Sequence, residues 1–204
     1  MSAAGRLITL EGVDGAGKST HLQFIADAIG AQGHHVIVTR EPGGTELAER
    51  LRKAILEEPM PPLAETLLIF AARADHVGRV IRPALQSSHW VVCDRFTDAT
   101  FAYQAAGKGV DRGLIERLRD ATHPGLQPDR TLVFDCPYEV ARERLAASGK
   151  ALDRFEREAR EFFERVRNAY LDIARQEPRR VRVVDATADM SAIRKAIQGH
   201  LAFE

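Results

Sequence analysis

The sequence holds only two cysteines in 204 residues, Cys93 and Cys136, and neither sits in a CxxC or in a metal-ligand spacing. That excludes a disulfide scaffold and a cysteine-built zinc site. Two isolated thiols inside apolar runs read as buried, inert side chains in a reducing cytosol. Net charge is missing as well, since 29 basic residues balance 29 acidic ones. The bulk electrostatic signature of a nucleic-acid binder is therefore absent. No apolar stretch approaches a membrane span, and Met1–Arg6 is too short and polar for a signal peptide. No internal repeat, low-complexity tract or linker divides the chain. A length of 204 residues can bury a core without staples. The expectation is one cytoplasmic domain over 1–204 with no nucleic-acid or membrane partner.

What is present is concentrated at residues 7–20. An apolar, β-prone run (Leu7, Ile8, Leu10) enters a glycine-rich loop, and a helical pattern (Leu22, Phe24, Ile25, Ala28, Ile29) leaves it. Gly12, Gly17, Lys18 and Ser19 stand at the G-x-x-x-x-G-K-[ST] spacing of a phosphate-binding loop. The glycines let successive N–H groups curl inward on a phosphate, and the following helix adds its positive end. Gly12, Val13, Asp14, Gly15, Ala16, Gly17, Lys18 and Ser19 are thus the candidate nucleotide-binding segment. Lys18 can reach the β- and γ-phosphates, and the Ser19 hydroxyl can ligate Mg²⁺.

Strand-like runs at Leu7–Glu11, His35–Arg40, Trp90–Asp94, Thr131–Asp135 and Val181–Asp185 alternate with helical patterns. The helical patterns fall at Lys18–Ala31, Thr45–Leu56, Leu63–Gln86, Thr97–Ala106, Arg112–Thr122, Tyr138–Ala147, Glu156–Arg175 and Met190–Leu201. This predicts an α/β P-loop NTPase fold, a five-stranded parallel sheet with helices on both faces. Ligands of such sheets sit beyond the carboxyl ends of the strands. A small lid segment is expected at about 148–156, around Ser148-Gly149-Lys150. Glu156/Arg160 and Glu161/Arg165, at i,i+4, are expected to pair on a solvated helix face.

Asp94 ends a hydrophobic strand, where phosphate-loop proteins hold Mg²⁺ directly or through water. Arg95 beside it can fork onto a phosphate. A guanine-reading Asn-Lys-x-Asp segment is absent. The arginine supply suggests a small kinase instead. Arg40, Arg52, Arg73 and Arg95 could surround a second phosphorylated ligand, and Arg142, Arg144, Lys150, Arg154 and Arg157 could close over a triphosphate. Phe70 taken alone belongs to a helical stripe with Leu67, Ala71 and Ala74 and reads as core.

Four pieces in register then carry a resemblance. The Gly12–Ser19 loop, Thr39-Arg40-Glu41-Pro42-Gly43-Gly44-Thr45, Phe70-Ala71-Ala72-Arg73, and Asp94-Arg95-Phe96 with Ala102-Tyr103-Gln104 together resemble bacterial thymidylate kinase. The resemblance runs from about residue 7 to residue 187. It implies phosphorylation of dTMP by ATP with Mg²⁺ held at Ser19 and Asp94, usually in a homodimer. It implies that Asp14 takes a hydrogen bond from the 3′-hydroxyl, and that Arg95, with Arg40 or Arg52, holds the dTMP phosphate. It further implies that Phe70 stacks on thymine, that Arg73, Thr100 and Gln104 read its polar edge, and that Tyr103 lies against C2′. Glu41 and Pro42 would shape that pocket, and Lys18, Arg95 and Asp14 would carry catalysis. Phe70 and Arg73 stand three apart where many relatives have four. The loop has no basic residue between Gly12 and Gly17, so Lys150 or Arg154 would supply the lid charge, with Arg142 against the adenine. Two other readings stay open: a kinase for another monophosphate or a nucleoside, with Glu41 as base, and an ATP-sensing regulatory module.

Overall fold

The computed structural model describes residues 4–149 and 153–203. Its centre is a parallel sheet in the order β2-β3-β1-β4-β5, formed by β1 (Leu7–Glu11), β2 (Val36–Arg40), β3 (Trp90–Asp94), β4 (Arg130–Asp135) and β5 (Val181–Asp185). β1 is buried along its whole length, as a central parallel strand covered on both faces must be. The edge strands β2 and β5 are only partly covered, and leave Val38 and Val183 exposed. Helices α1 (Leu22–Gly30) and α9 (Met190–Leu201) cover one face. The other face is packed mainly by α8 (Arg160–Gln176) and by the short helix Arg82–Gln86. In register, Asp94 pairs with Leu10 on one side and Arg40 on the other. The loops that follow β1, β2 and β3 therefore emerge level with one another at the carboxyl edge.

Two long helical patterns are interrupted. The expected Leu63–Gln86 helix is α3 (Pro62–His76), then a π-helical turn Val77–Ile81, then α4 (Arg82–Gln86). Pro83 explains the break, because it has no N–H for the carbonyl of Arg79 and its ring crowds that carbonyl. The backbone widens instead, and Arg82 N–H reaches the carbonyl of Val77. The expected Thr97–Ala106 helix is likewise α5 (Thr97–Thr100) followed by a π-helical stretch Phe101–Gly107. Its last glycine lies against α8, where a Cβ would stand 2.6 Å from the Phe162 ring. Lys18–Thr20 forms one 3₁₀ turn rather than the start of α1, with His21 N–H bonded to the Lys18 carbonyl at 2.9 Å.

The remaining helices, α2 (Glu46–Glu57), α6 (Arg112–Thr122) and α7 (Tyr138–Ala147), lie where the pattern puts them, with Thr45 as the N-cap of α2. α8 begins at Arg160 rather than Glu156, because the Asp153 carboxylate takes the N–H groups of Phe155 and Glu156 and turns the chain there. The expected ion pairs change accordingly. Arg160 bonds Glu164 and Glu139, and Arg165 donates to the Gly107 carbonyl.

His123 ties the end of α6 to α5. Its Nδ1 donates to the Leu126 carbonyl at 3.0 Å, which leaves Nε2 to accept from Thr97 Oγ1 at 2.8 Å. Burial, with Arg73 adding like charge, lowers its pKa to about 4. An unfolded histidine titrates near 6.5, so the unfolded chain takes up a proton that the folded one refuses. This contribution is intact above pH 6.5 and is lost as pH falls toward 4. Stability is expected to drop by about 1 kcal/mol from pH 7.5 to 5.5 through this group. His123→Asn keeps a donor for Leu126 and removes the titration, so its urea midpoint should fall less over that interval. An equal slope in both proteins would refute the assignment.

Candidate functional site

Two cavities open at the carboxyl edge and share a wall. The larger is lined by the loop from Asp14 to Thr20 together with Arg40, Asp94, Arg144, Ala186, Met190 and Ile193. The narrower is lined by Pro42, Ile55, Ile69, Arg73, Thr100, Tyr103, Gln104 and Phe155. Asp14, Glu41, Arg52, Arg95 and Asp153 border both.

The loop sits on β4 and α7 at backbone distance. A Cβ on Gly12 would come within 2.4 Å of the Phe134 carbonyl, and one on Gly15 within 2.4 Å of the Ala141 carbonyl. Gly12 and Val13 do not border the larger cavity. Their carbonyls accept from Lys18 Nζ at 3.0 and 2.9 Å, and so fold the lysine across the loop. Burial and the neighbouring Arg95 lower the Lys18 pKa, against the pull of Asp14, Asp94 and Glu11. An arriving polyphosphate would reverse that penalty.

Ser19 Oγ stands 3.5 Å from Asp94 Oδ2. Asp94 Oδ1 is buried with no hydrogen-bond partner among the described residues. A hydroxyl beside an unsatisfied carboxylate oxygen fits a magnesium ion, which takes one or two protein oxygens and completes its shell with phosphate and water. Among the described residues no three His, Cys, Asp or Glu side chains gather into a metal site, so Mg²⁺ would depend on the nucleotide for most of its ligands.

Arg95 holds the shared wall. Its backbone is left-handed (φ 69°), and its guanidinium donates to Asp14 Oδ1 at 2.5 Å, Tyr103 OH at 3.0 Å and Tyr170 OH at 3.1 Å. Burial opposes its charge, but Asp14 and the two tyrosines beside it raise its pKa above the ordinary arginine value. Asp14 is pushed up by burial and held low overall by Arg95 and Lys18, and its second oxygen accepts from Tyr103 OH at 2.9 Å. Behind them Tyr170 donates to Glu11 at 2.8 Å. Glu11 is fully buried, and desolvation together with Asp98 raises its pKa to about 8. Arg52 donates to the Pro42 carbonyl at 3.0 Å and reaches both cavities. Arg40 pairs with Glu49 and borders only the larger one.

In the narrower cavity, Arg73 gives Nε to Glu41 at 2.6 Å and Nη2 to the Phe96 carbonyl at 3.2 Å. Its Nη1 is buried without a partner among the described residues, a donor awaiting an acceptor. Glu41 precedes Pro42 across a cis peptide bond. Its other oxygen accepts from His76 Nδ1 at 2.9 Å, and although burial raises its pKa, Arg73 and His76 hold it lowered overall. Such a carboxylate is a poor base for a hydroxyl acceptor. Thr100, Tyr103 and Gln104 all face this cavity.

Three expected positions require correction. Phe70 does not line the cavity; it is 2 % exposed in the main core, with the Arg73 guanidinium over its ring at 4.9 Å. Ile69 lines the wall in its place, since it stands four residues before Arg73 and so shares its helix face. Arg142 turns away from the larger cavity and donates to the Glu156 carbonyl at 2.8 Å. Two residues along a helix turn a side chain by about 200°, so Arg144 faces the loop instead and bonds the Ala186 carbonyl at 2.7 Å. Arg154 is drawn to the buried Glu65 on α3 and does not line the larger cavity. Lys150 lies outside the described residues. Sequence reasoning missed Ile69, though the helix period could have found it, and missed Phe155 and the Ala186–Ile193 wall, whose proximity depends on tertiary packing.

Comparison with known proteins gives one family. The family model described as thymidylate kinase matches residues 10–197. A thymidylate kinase of Bordetella petrii is 52 % identical over 98 % of this chain and 97 % of its own length. One of Methylobacillus flagellatus is 52 % identical over 95 % of each. The crystal structure of a thymidylate kinase from Ehrlichia chaffeensis superposes with a TM-score of 0.76 at 31 % identity, covering 97 % of this chain and 99 % of that one.

Proposed function

The chain belongs to the thymidylate kinase family, and from that premise we propose that it moves the γ-phosphoryl group of ATP onto dTMP across the wall shared by its two cavities. The observation that carries this reading is that wall: Asp14, Arg52 and Arg95 border both cavities. ATP occupies the larger cavity, its phosphates on the Asp14–Ser19 backbone and Lys18, and its adenosine along Arg144, Ala186 and Ile193. Monophosphate occupies the narrower one, its phosphate at Arg95 and Arg52 and its base between Ile69, Arg73 and Gln104. Asp14 takes the 3′-hydroxyl, Tyr103 lies against C2′, and Glu41 and Pro42 shape the floor.

A phosphate monoester has its second pKa near about 6, so the acceptor is already a nucleophile at neutral pH. The site needs no general base, which agrees with both oxygens of Glu41 being engaged. Its task is in-line placement and neutralisation of charge on the moving phosphoryl group. Lys18 leaves the Gly12 and Val13 carbonyls for the phosphates. Arg95 stays tethered by Asp14 and the tyrosines, which spares it reorganisation during transfer. Mg²⁺, bound at Ser19 and Asp94, would neutralise phosphate charge. The described residues contain no helix able to cross a membrane, and a cytoplasmic, single-domain enzyme fits the composition. Leu63 and Leu67, exposed one turn apart on α3, support a homodimer built on that face.

Coupled ADP release from Mg·ATP tests the reading, with dTMP, dUMP, thymidine, dGMP and AMP offered separately. Strong turnover is expected with dTMP and weaker turnover with dUMP, because one methyl group is worth roughly 1–3 kcal/mol. Thymidine, dGMP and AMP should give none. EDTA should abolish turnover and Mg²⁺ restore it. Preference for another monophosphate would discard the base contacts, and ADP release independent of any acceptor would discard the kinase.

A further inference from the structure

Glu65 stands in the first turn of α3 behind the acceptor cavity and is completely buried. Three donors converge on it. Gln104 Nε2 reaches Oε1 at 2.8 Å, Lys108 Nζ reaches Oε2 at 2.7 Å, and Arg154 Nη2 reaches the same Oε2. Arg154 is itself anchored by Nε on the Ile55 carbonyl. Neither Glu65 nor Lys108 borders the cavity, whereas Gln104 does.

A carboxylate facing two cations only accepts hydrogen bonds. Gln104 must therefore turn its amide nitrogen toward Glu65, and the reversed amide would set oxygen against oxygen in a buried place. Gln104 Oε1 is left with no hydrogen bond to any described residue. We propose that Glu65 is a positioning residue for base selection: by locking the Gln104 amide it fixes an acceptor on the cavity wall, and so favours a base that carries a proton at N3. This rests on the reading of that cavity as the monophosphate site. Thymine and uracil offer N3–H to a fixed acceptor, whereas cytosine offers a lone pair. The unpartnered Arg73 Nη1 supplies the complementary donor for a carbonyl at position 4, where cytosine has an amino group.

The test compares kcat/KM for dTMP and dCMP in the wild type, Glu65→Gln, Lys108→Met and the double variant. Glutamine at 65 keeps its oxygen toward Lys108 and Arg154, so its nitrogen faces Gln104 and turns the Gln104 amide over, which replaces the fixed acceptor on the cavity wall with a donor. The dTMP:dCMP ratio should fall by roughly tenfold in Glu65→Gln, with Arg73 retaining the rest of the discrimination. KM for ATP should not change. Lys108→Met should keep the wild-type ratio, and Glu65→Asp, which restores a carboxylate, should recover it. The double variant removes one of the two cations left without a carboxylate and carries the same readout if Glu65→Gln does not fold. A folded Glu65→Gln with the wild-type ratio overturns the proposal. So does an equal loss with both substrates, which marks a purely structural role, and so does a wild type that barely separates dTMP from dCMP. A wild type inert toward dTMP would instead defeat the reading of the cavity itself.

Discussion

Lys18→Met is expected to lower turnover of dTMP by roughly 10³-fold while leaving the circular dichroism spectrum and melting temperature close to those of the wild type. The activity loss follows from position. Lys18 is buried in the loop, and its charge is the one the loop can bring directly to the transferring phosphates. Methionine has similar length and no charge, so it fills the same channel. Its structural cost is the loss of two donors to the Gly12 and Val13 carbonyls, each worth about 1 kcal/mol. That loss is offset by the release of a charge whose lowered pKa shows that burial disfavours it. A folded variant within tenfold of wild-type turnover would remove Lys18 from the chemistry.

Arg95→Ala is expected to cost a similar factor, roughly 10³-fold or more in kcat/KM for dTMP. The two losses should differ in kind. In the proposed placement Lys18 acts from the donor side, whereas Arg95 serves the acceptor and the moving group, so Arg95→Ala should also raise KM for dTMP. Arginine here already occupies a left-handed backbone, so alanine adds no new conformational strain. Losing the guanidinium leaves Asp14 with the Tyr103 hydrogen bond and the Lys18 charge, and should raise the Asp14 pKa, because the larger of the two positive charges that lower it is gone. Lysine at 95 should rescue little, since one ammonium cannot hold Asp14, Tyr103 and Tyr170 in the geometry of the fork. Near-normal kcat/KM in a folded Arg95→Ala protein would overturn this assignment.

The sheet was legible in the sequence because each strand is an apolar run closed by a polar or glycine-rich turn, and all five end where the pattern breaks. The helices were legible in existence but not in continuity. Hydrophobic period does not register what Pro83 does to the carbonyl of Arg79, nor that Asp153 caps a turn ahead of α8. Within the candidate site, Asp14–Ser19, Asp94 and Arg95 could be placed on the cavity wall from residue types alone, since each stands at or just beyond the end of a strand at the carboxyl edge. Residues chosen on helices depended on phase, and phase errors have physical consequences. One residue separates Phe70 in the core from Ile69 on the cavity wall, and two separate Arg142 from Arg144. Arg154 was beyond sequence reasoning altogether, because its partner Glu65 lies 89 positions away.

The wall between the cavities has a consequence for inhibitor chemistry. A compound confined to the narrower side meets Arg95 already neutralised by Asp14, and can bind through its base-mimicking end without an anionic group. A compound threaded through both sides has to pass Arg52 and Arg95 at the crossing. A neutral tether there displaces water from the Arg52 guanidinium, which has no carboxylate bonded to it among the described residues, and returns no charge, a desolvation loss that longer contacts at either end must overcome. The charge carried at the middle of such a tether, more than its length, therefore sets how tightly a two-site inhibitor can hold.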